Sequence, residues 1–215
     1  MLKMIYLARR KPGFSLDDFI RRWRKHGALG MEQPLWRQAV GYVQAEPIRP
    51  VPIRGASEDF DAVACFIVRD EMFSEMDDND VAGAAIMAED ELLTFAEPTL
   101  DVCLWVKEEH IRPGALGGIT AFLFFEQDAA ARECAELASH VPDLHRITLN
   151  LRDDAPLGPD IHTLPYQAVV ELSTHDVPTL AAALGASEGS PLLSAADLAV
   201  VTREAVLWDR LPEAG

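Results

Sequence analysis

Apolar residues fall on both faces of the first strand-like segment, with Met4 and Tyr6 on one side and Ile5 and Leu7 on the other. A strand apolar on both faces is one that is covered on both. Pro12-Gly13 then signals a turn, and Ser15 stands where a helix cap belongs, with Asp17 and Asp18 in the first turn. Leu16, Phe19, Ile20 and Trp23 recur at i, i+3, i+4 and i+7, the apolar stripe of an amphipathic helix. His26 continues that stripe, while Arg21, Arg22, Arg24 and Lys25 lie on or beside the polar side. Gly27 and Gly30 predict the helix end. A second strand is predicted over 38–46, broken by the proline-rich stretch 47–52. The third, over 60–69, sets Phe60, Ala62, Ala64, Phe66 and Val68 against Val63, Cys65 and Ile67. Helical segments follow from 71 to 96, interrupted at Asp77-Asp78-Asn79-Asp80, and a fourth strand spans 99–107.

After Pro113-Gly114 and Gly117-Gly118 the same order begins again. Strands are predicted over 119–126, 144–151, 166–172 and 199–209, with one helix from Asp128 to Ser139 and another after His175. The closing strands share a local string, Val102-Cys103-Leu104-Trp105 against Ala205-Val206-Leu207-Trp208. The order βαββαβ, read twice, is the ferredoxin-like pattern duplicated within one chain. The expected fold is therefore α+β, with ferredoxin-like units at 1–112 and 117–212. Each unit leaves one apolar sheet face bare, so the two sheets are expected to pack face to face as a barrel inside the chain. Such an interior is either solid or keeps a ligand cavity at a mouth.

Composition narrows the partners. The 215 residues hold 19 Lys+Arg and 35 Asp+Glu, a net charge of −16 that argues against nucleic acid. No apolar run reaches the ~18–20 residues of a membrane span, and the N-terminal apolar stretch is too brief for a secretory signal. Three cysteines, Cys65, Cys103 and Cys134, sit singly in apolar stretches, as buried thiols of a reducing compartment do. A cytoplasmic location is expected. The charge is uneven: residues 1–54 hold eleven Lys/Arg and four Asp/Glu, so the positive charge lies at one end. Two readings stand. The basic residues pair with the acidic remainder, or Arg9, Arg10 and Arg22 form a positive mouth for an anionic ligand.

Arg10-Lys11-Pro12-Gly13-Phe14-Ser15, followed by Asp18-Phe19, Trp23 and His26, resembles the opening motif of EthD-domain proteins. Gly41-Tyr42-Val43-Gln44, Phe60-Asp61-Ala62-Val63-Ala64 and Asp90-Glu91 with Phe95 are similar to that family's later motifs. The resemblance covers roughly residues 3–107. In the second half, Pro142 to Asn150 looks like the second-strand segment, but nothing matches the Trp-x-x-His helix, so this copy reads as degenerate. The resemblance implies the dimeric α/β-barrel superfamily, which includes cofactor-free monooxygenases, cyclases, dehydratases and haem enzymes. Membership of this kind implies a fold more firmly than a reaction.

His26 is the leading candidate acid/base, set beside Trp23 at the edge of a cationic face; the alternative is a helix-end histidine bonded to backbone. Arg22, one turn earlier, is a candidate holder of an anionic or enolate oxygen. Tyr42 is either a phenol donor to a substrate carbonyl or a strand packing residue. Tyr6, Trp23 and Phe66 are the candidate ligand-lining residues, whereas Trp36 and Trp105 read as core or interface, and Asp61 and Asp101 as solvated strand edges. His140, His145, His162 and His175 form no metal-ligand cluster, and no phosphate-binding glycine motif is present, so no cofactor is expected. The functional expectation is a small, apolar, oxygenated ligand bound in the barrel, with cofactor-independent proton transfer of the cyclase, dehydratase or isomerase kind. Its rivals are a non-catalytic binding or assembly protein and a cofactor-free monooxygenase. A homodimer of the fused chain is the expected protein partner.

Overall fold

Eight strands and five helices are described in the computed structural model, which covers residues 1–154, 164–185 and 191–210. The first half runs β1 (Leu2–Ala8), α1 (Leu16–Met31), β2 (Ala39–Pro47), β3 (Ala62–Val68), α2 (Asp78–Thr94) and β4 (Cys103–Arg112). The second runs β5 (Gly118–Phe125), α3 (Asp128–Ser139), β6 (Arg146–Arg152), β7 (Ala168–Thr174), α4 (Val177–Ala183), α5 (Pro191–Ser194) and β8 (Leu198–Asp209). The strands close into one antiparallel barrel in the order β1-β3-β2-β8-β5-β7-β6-β4. The two halves are thus not merely stacked. They are hydrogen-bonded at both seams, β2 to β8 from Gly41↔Asp209 to Pro47↔Thr202, and β4 to β6 from Val106↔Arg152 to Arg112↔Ile147.

The local chemistry explains the helix bounds. The Ser15 hydroxyl accepts from the Asp18 N–H and starts α1, but α1 does not stop at Gly27 or Gly30; it continues to Met31. Gly27 serves packing instead. A Cβ there would lie 2.9 Å from Gln44 Nε2 and 3.0 Å from Tyr42 Cε1, so its absence lets α1 lie directly on β2. The Asp77–Asp80 run is a helix start: Asp77 and Asp80 form a capping box for α2.

Strand parity sorts the side chains. Ile5, Leu7, Val43, Val63, Leu104, Phe122, Phe124, Val169 and Val200 fill one part of the barrel interior. The rest of the interior is charged. Lys3 Nζ donates to Glu171 Oε1 at 2.5 Å and to Glu108 Oε1 at 2.8 Å. Arg146 Nη2 donates to Glu204 Oε1 at 2.5 Å, and Thr120 Oγ1 donates to the same oxygen at 2.9 Å. Asn150 Nδ2 donates to Glu171 Oε1 at 3.0 Å. Burial alone disfavours the Glu171 carboxylate, but Lys3 and Arg146 outweigh it and hold its pKa below the ordinary range. An interior so filled leaves the ligand expected inside the barrel without a place there. Phe66, expected to line a ligand space inside the barrel, points outward, toward the helices of the first half.

Candidate functional site

Outside the barrel, a cavity of about 350 Å³ lies between the first-half sheet and helices α1 and α2. Tyr6 and Met4 reach it from β1, Tyr42 from β2, Phe66 from β3 and Trp105 from β4, all by the outward parity. His26, Gly27 and Gly30 line it from α1; Gly83, Met87 and Glu91 line it from α2. In the second half the space between sheet and helices is filled by Leu123, Phe125, Ala135, Leu172, Leu180 and Leu184.

His26 is buried, with 5% of its surface exposed, and its ring meets Phe95 edge-on at 5.3 Å between centroids. Its Nδ1–H donates to Asp90 Oδ2 at 2.8 Å, which leaves Nε2 as the ring nitrogen not committed to Asp90. Arg22 Nη2 donates to Asp90 Oδ1 at 2.5 Å. Burial pushes the Asp90 carboxyl up, but the bonds from Arg22 and His26 outweigh it and hold its pKa below the ordinary range. An ionised partner at Nδ1 fixes the tautomer whose Nε2 accepts a proton.

A second polar group faces the same space. Trp23 Nε1 donates to the Tyr6 hydroxyl at 2.9 Å, and Gln44 Nε2 donates to the Tyr42 hydroxyl at 2.8 Å. The two hydroxyls lie near enough for each to influence the other's ionisation. Burial pushes both phenols up, so both stay protonated at neutral pH. In both bonds the hydroxyl oxygen accepts, so neither phenol proton is used in them.

Of the residues singled out from the sequence, His26, Tyr42, Tyr6 and Phe66 meet at this cavity. Two do not line it. Trp23 is fully buried behind Tyr6, and Arg22 is spent on Asp90 rather than on a ligand oxygen. The basic end pairs with acidic residues: Arg24 bonds Gln44 and Glu46, Arg37 bonds Asp80, and Arg10 and Arg49 meet Asp61. A positive mouth is not formed by Arg22. Asp61 is a buried hub rather than a solvated edge. Trp36 and Trp105, read as core or interface, belong to the first-half core, where Trp105 is buried, and also line the cavity. Asp90 and Glu91 stand beside these residues: Asp90 bonds His26, and Glu91 lines the cavity. Both belong to the acidic run Glu89-Asp90-Glu91 of α2, whose spacing alone does not separate them from a solvated helix face. Among the described residues, no group of three or more His, Cys, Asp or Glu is placed to hold a metal. His145 and His175 stack at 4.5 Å, His140 stands in solvent, and His162 lies outside the described residues.

Solved structures resemble this architecture over nearly its whole length. An anthrone oxidase-like protein matches with a TM-score of 0.55 at 10% identity, covering 100% of this chain and 96% of its own. A chlorite dismutase-like protein matches with a TM-score of 0.54 at 10% identity, covering 95% and 94%. The fold is that of the dimeric α/β-barrels. At such low identity the likeness to these α/β-barrels concerns fold alone, and no family model and no curated protein matches the sequence. No described helix of this α/β-barrel is long and apolar enough to cross a membrane.

Proposed function

We propose that the cavity between the first-half sheet and its helices binds a small, largely apolar, oxygenated molecule, and that His26 moves a proton on it. The observation that carries this reading is the His26–Asp90 pair opening on the same apolar space as the Tyr6–Tyr42 hydroxyl pair. Nε2 takes a proton from carbon or oxygen of the ligand, giving an imidazolium opposite the Asp90 carboxylate. A tyrosine hydroxyl of the pair meanwhile donates to the ligand oxygen as negative charge develops there. Return of the proton to another atom of the ligand completes an isomerisation; its delivery to a departing hydroxyl, which leaves as water, completes a dehydration. Arg22 acts through Asp90 and is a positioning residue.

The anthrone oxidase-like neighbour brings cofactor-free oxygenation into view as the rival chemistry. The remaining expectations are proposed with it. The chain is read as two ferredoxin-like units, 1–112 and 117–212, supported by the matching strand orders β4-β1-β3-β2 and β8-β5-β7-β6. EthD kinship is supported by the site using His26, Tyr42, Asp90 and Glu91, four residues of the resembling motifs. A second copy of the chain is the proposed protein partner, through α2. That helix exposes Val81, Ile86, Leu92 and Leu93, carries no Lys or Arg for a lipid surface, and sets alanines between bulky ends as self-packing requires.

The test is proton exchange on a bicyclic ketone, 2-tetralone, in deuterated buffer, read by NMR. The protein is expected to accelerate exchange beside the carbonyl, and His26→Ala to remove about 10²–10⁴-fold of that, the usual worth of a general base. Unchanged exchange in His26→Ala removes His26 from the chemistry. Oxygen uptake in the same mixture replaces proton transfer by oxygenation.

A further inference from the structure

The walls of the cavity carry only one sign of uncompensated charge. Glu91 lines it, whereas no Lys or Arg does among the described residues. Two cations of α1 are already spent: Arg22 is on Asp90, Arg24 on Gln44 and Glu46. The Asp90 carboxylate is thereby compensated by Arg22, and the Glu91 carboxylate is not. Glu91 is held in place by the Thr99 N–H, donating to Oε2 at 2.9 Å, and the Thr99 hydroxyl, donating to Oε1 at 2.6 Å. These are neutral donors. They fix the carboxylate without cancelling its charge, and each oxygen keeps a second acceptor position. Its field reaches the hydroxyl pair, since it opposes ionisation of both Tyr6 and Tyr42.

The rest of the wall is aromatic and thioether. Trp36, Trp105, Tyr42, Phe66 and Phe73 surround the space, with Trp36 meeting Tyr42 at 5.8 Å and Phe66 at 5.5 Å between centroids. Aromatic walls attract cations through the ring quadrupole and do nothing for anions. Set half-buried in an apolar wall, one fixed carboxylate discriminates by charge more than it would in bulk water.

We infer that the cavity takes an apolar ligand bearing a protonated amine, with the ammonium on the Glu91 carboxylate among the aromatic rings, and that it rejects carboxylates and phenolates of the same shape. This rests on the cavity being the ligand site, as proposed above, and adds the charge class of the ligand. It reverses the anion-attracting reading of the basic N-terminal third. Glu91 is the specificity-determining residue.

The experiment titrates three ligands of one skeleton, 2-naphthylmethylamine, 2-naphthylmethanol and 2-naphthoate, into the full chain and follows binding calorimetrically. The expected order of affinity is amine, alcohol, carboxylate, with at least tenfold between the first and last, or ~1.4 kcal/mol. Glu91→Gln is expected to bring amine and naphthoate within threefold of each other. Thr99→Val keeps the charge and is expected to keep the order, which separates charge from the anchoring bond. The unaltered protein alone decides the matter if Glu91→Gln does not fold. Binding of the alcohol with naphthoate as tight as the amine overturns the charge selection and leaves the cavity reading standing. Binding of none of the three overturns both.

Discussion

Gly27 and Gly30 lie one turn apart on α1, and the same substitution at each is expected to change stability in opposite directions. Glycine to alanine inside a helix gains about 1 kcal/mol of helix propensity. At Gly30 little opposes that gain, because the new Cβ would meet only the flexible end of Met87, at 3.3 Å from its methyl carbon. At Gly27 the new methyl would lie 2.9 Å from Gln44 Nε2 and 3.0 Å from Tyr42 Cε1. Gln44 cannot simply swing away. Its Nε2 donates both to the Trp23 carbonyl at 3.1 Å and to the Tyr42 hydroxyl at 2.8 Å, and its Oε1 accepts from Arg24. Overpacking of a closed site costs roughly 1–3 kcal/mol, and each buried polar group left unpaired adds about 1–3 kcal/mol.

Set against the helix gain, Gly27→Ala, with one polar group left unpaired, is expected to destabilise by about 1–5 kcal/mol and Gly30→Ala to be neutral or stabilising by up to about 1 kcal/mol. For a chain of this length each kcal/mol moves the melting temperature by about 2–4 °C, so the two variants should straddle the parent by a clearly resolved margin. Thermal unfolding followed by circular dichroism reads this directly. Equal shifts for the two variants, or a Gly27→Ala protein as stable as the parent, would refute the close approach of α1 to β2 that shapes one wall of the cavity.

Lys3→Met leaves the Glu171 and Glu108 carboxylates in the barrel without their shared cation, and a broken buried pair costs about 3–5 kcal/mol. That loss should shrink as pH falls, because protonation relieves an unpaired buried carboxylate; denaturant melts at two pH values check it, and a loss under 1 kcal/mol at neutral pH refutes it. Asp90 has its pKa lowered in the folded state, so its contribution to stability is present above the ordinary carboxylate range and is lost as pH falls through the folded value. Asp90→Asn should therefore flatten the acid limb of a stability–pH curve while also slowing 2-tetralone exchange; an unchanged acid limb counts against the clamp. Burial pushes the Cys103 and Cys134 thiols up to about 12 and raises Cys65 as well. Ellman's reagent at pH 8 should titrate no thiol in the folded protein and three in guanidinium, and a fast native thiol would contradict their burial. Leu92→Lys should turn any dimer seen by sedimentation into monomer, and a dimer that survives it does not use α2.

The element order was legible because hydrophobic period changes sharply between strand and helix, and glycine and proline punctuate the joints. What was not legible was the direction of the strand faces. Met4 and Tyr6, like Ile5 and Leu7, are apolar on both parities, so periodicity alone does not say which side is the barrel interior. Tyr6, Tyr42 and Phe66 were accordingly assigned to an internal cavity, and they face the helices. The helix ends were misread for a related reason. Gly27 looks like a terminator, and its role appears only when Gln44 and Tyr42 arrive from a strand that pairs elsewhere in the chain.

An eight-stranded barrel has an interior just wide enough to be filled by its own side chains or to hold one small ligand, and the parity of the polar residues decides between the two. Lys3 shares its side of β1 with Ile5 and Leu7, and Thr120 shares its side of β5 with Phe122 and Phe124. Thr202 and Glu204 continue the side of β8 that holds Val200, and Arg146, Thr148 and Asn150 alternate along β6. Polar groups on one parity of several strands can only be buried if they meet one another, as Lys3, Glu171, Arg146 and Glu204 do. That shared parity marks the closed interior. The opposite parity, carrying Tyr6, Tyr42 and Phe66, is then left for the helices, and the helix that brings His26 to it is the one whose Gly27 permits close approach. The cavity lies outside the barrel, whose interior is taken up by apolar side chains and by ion pairs, with Lys3–Glu171 joining the two halves.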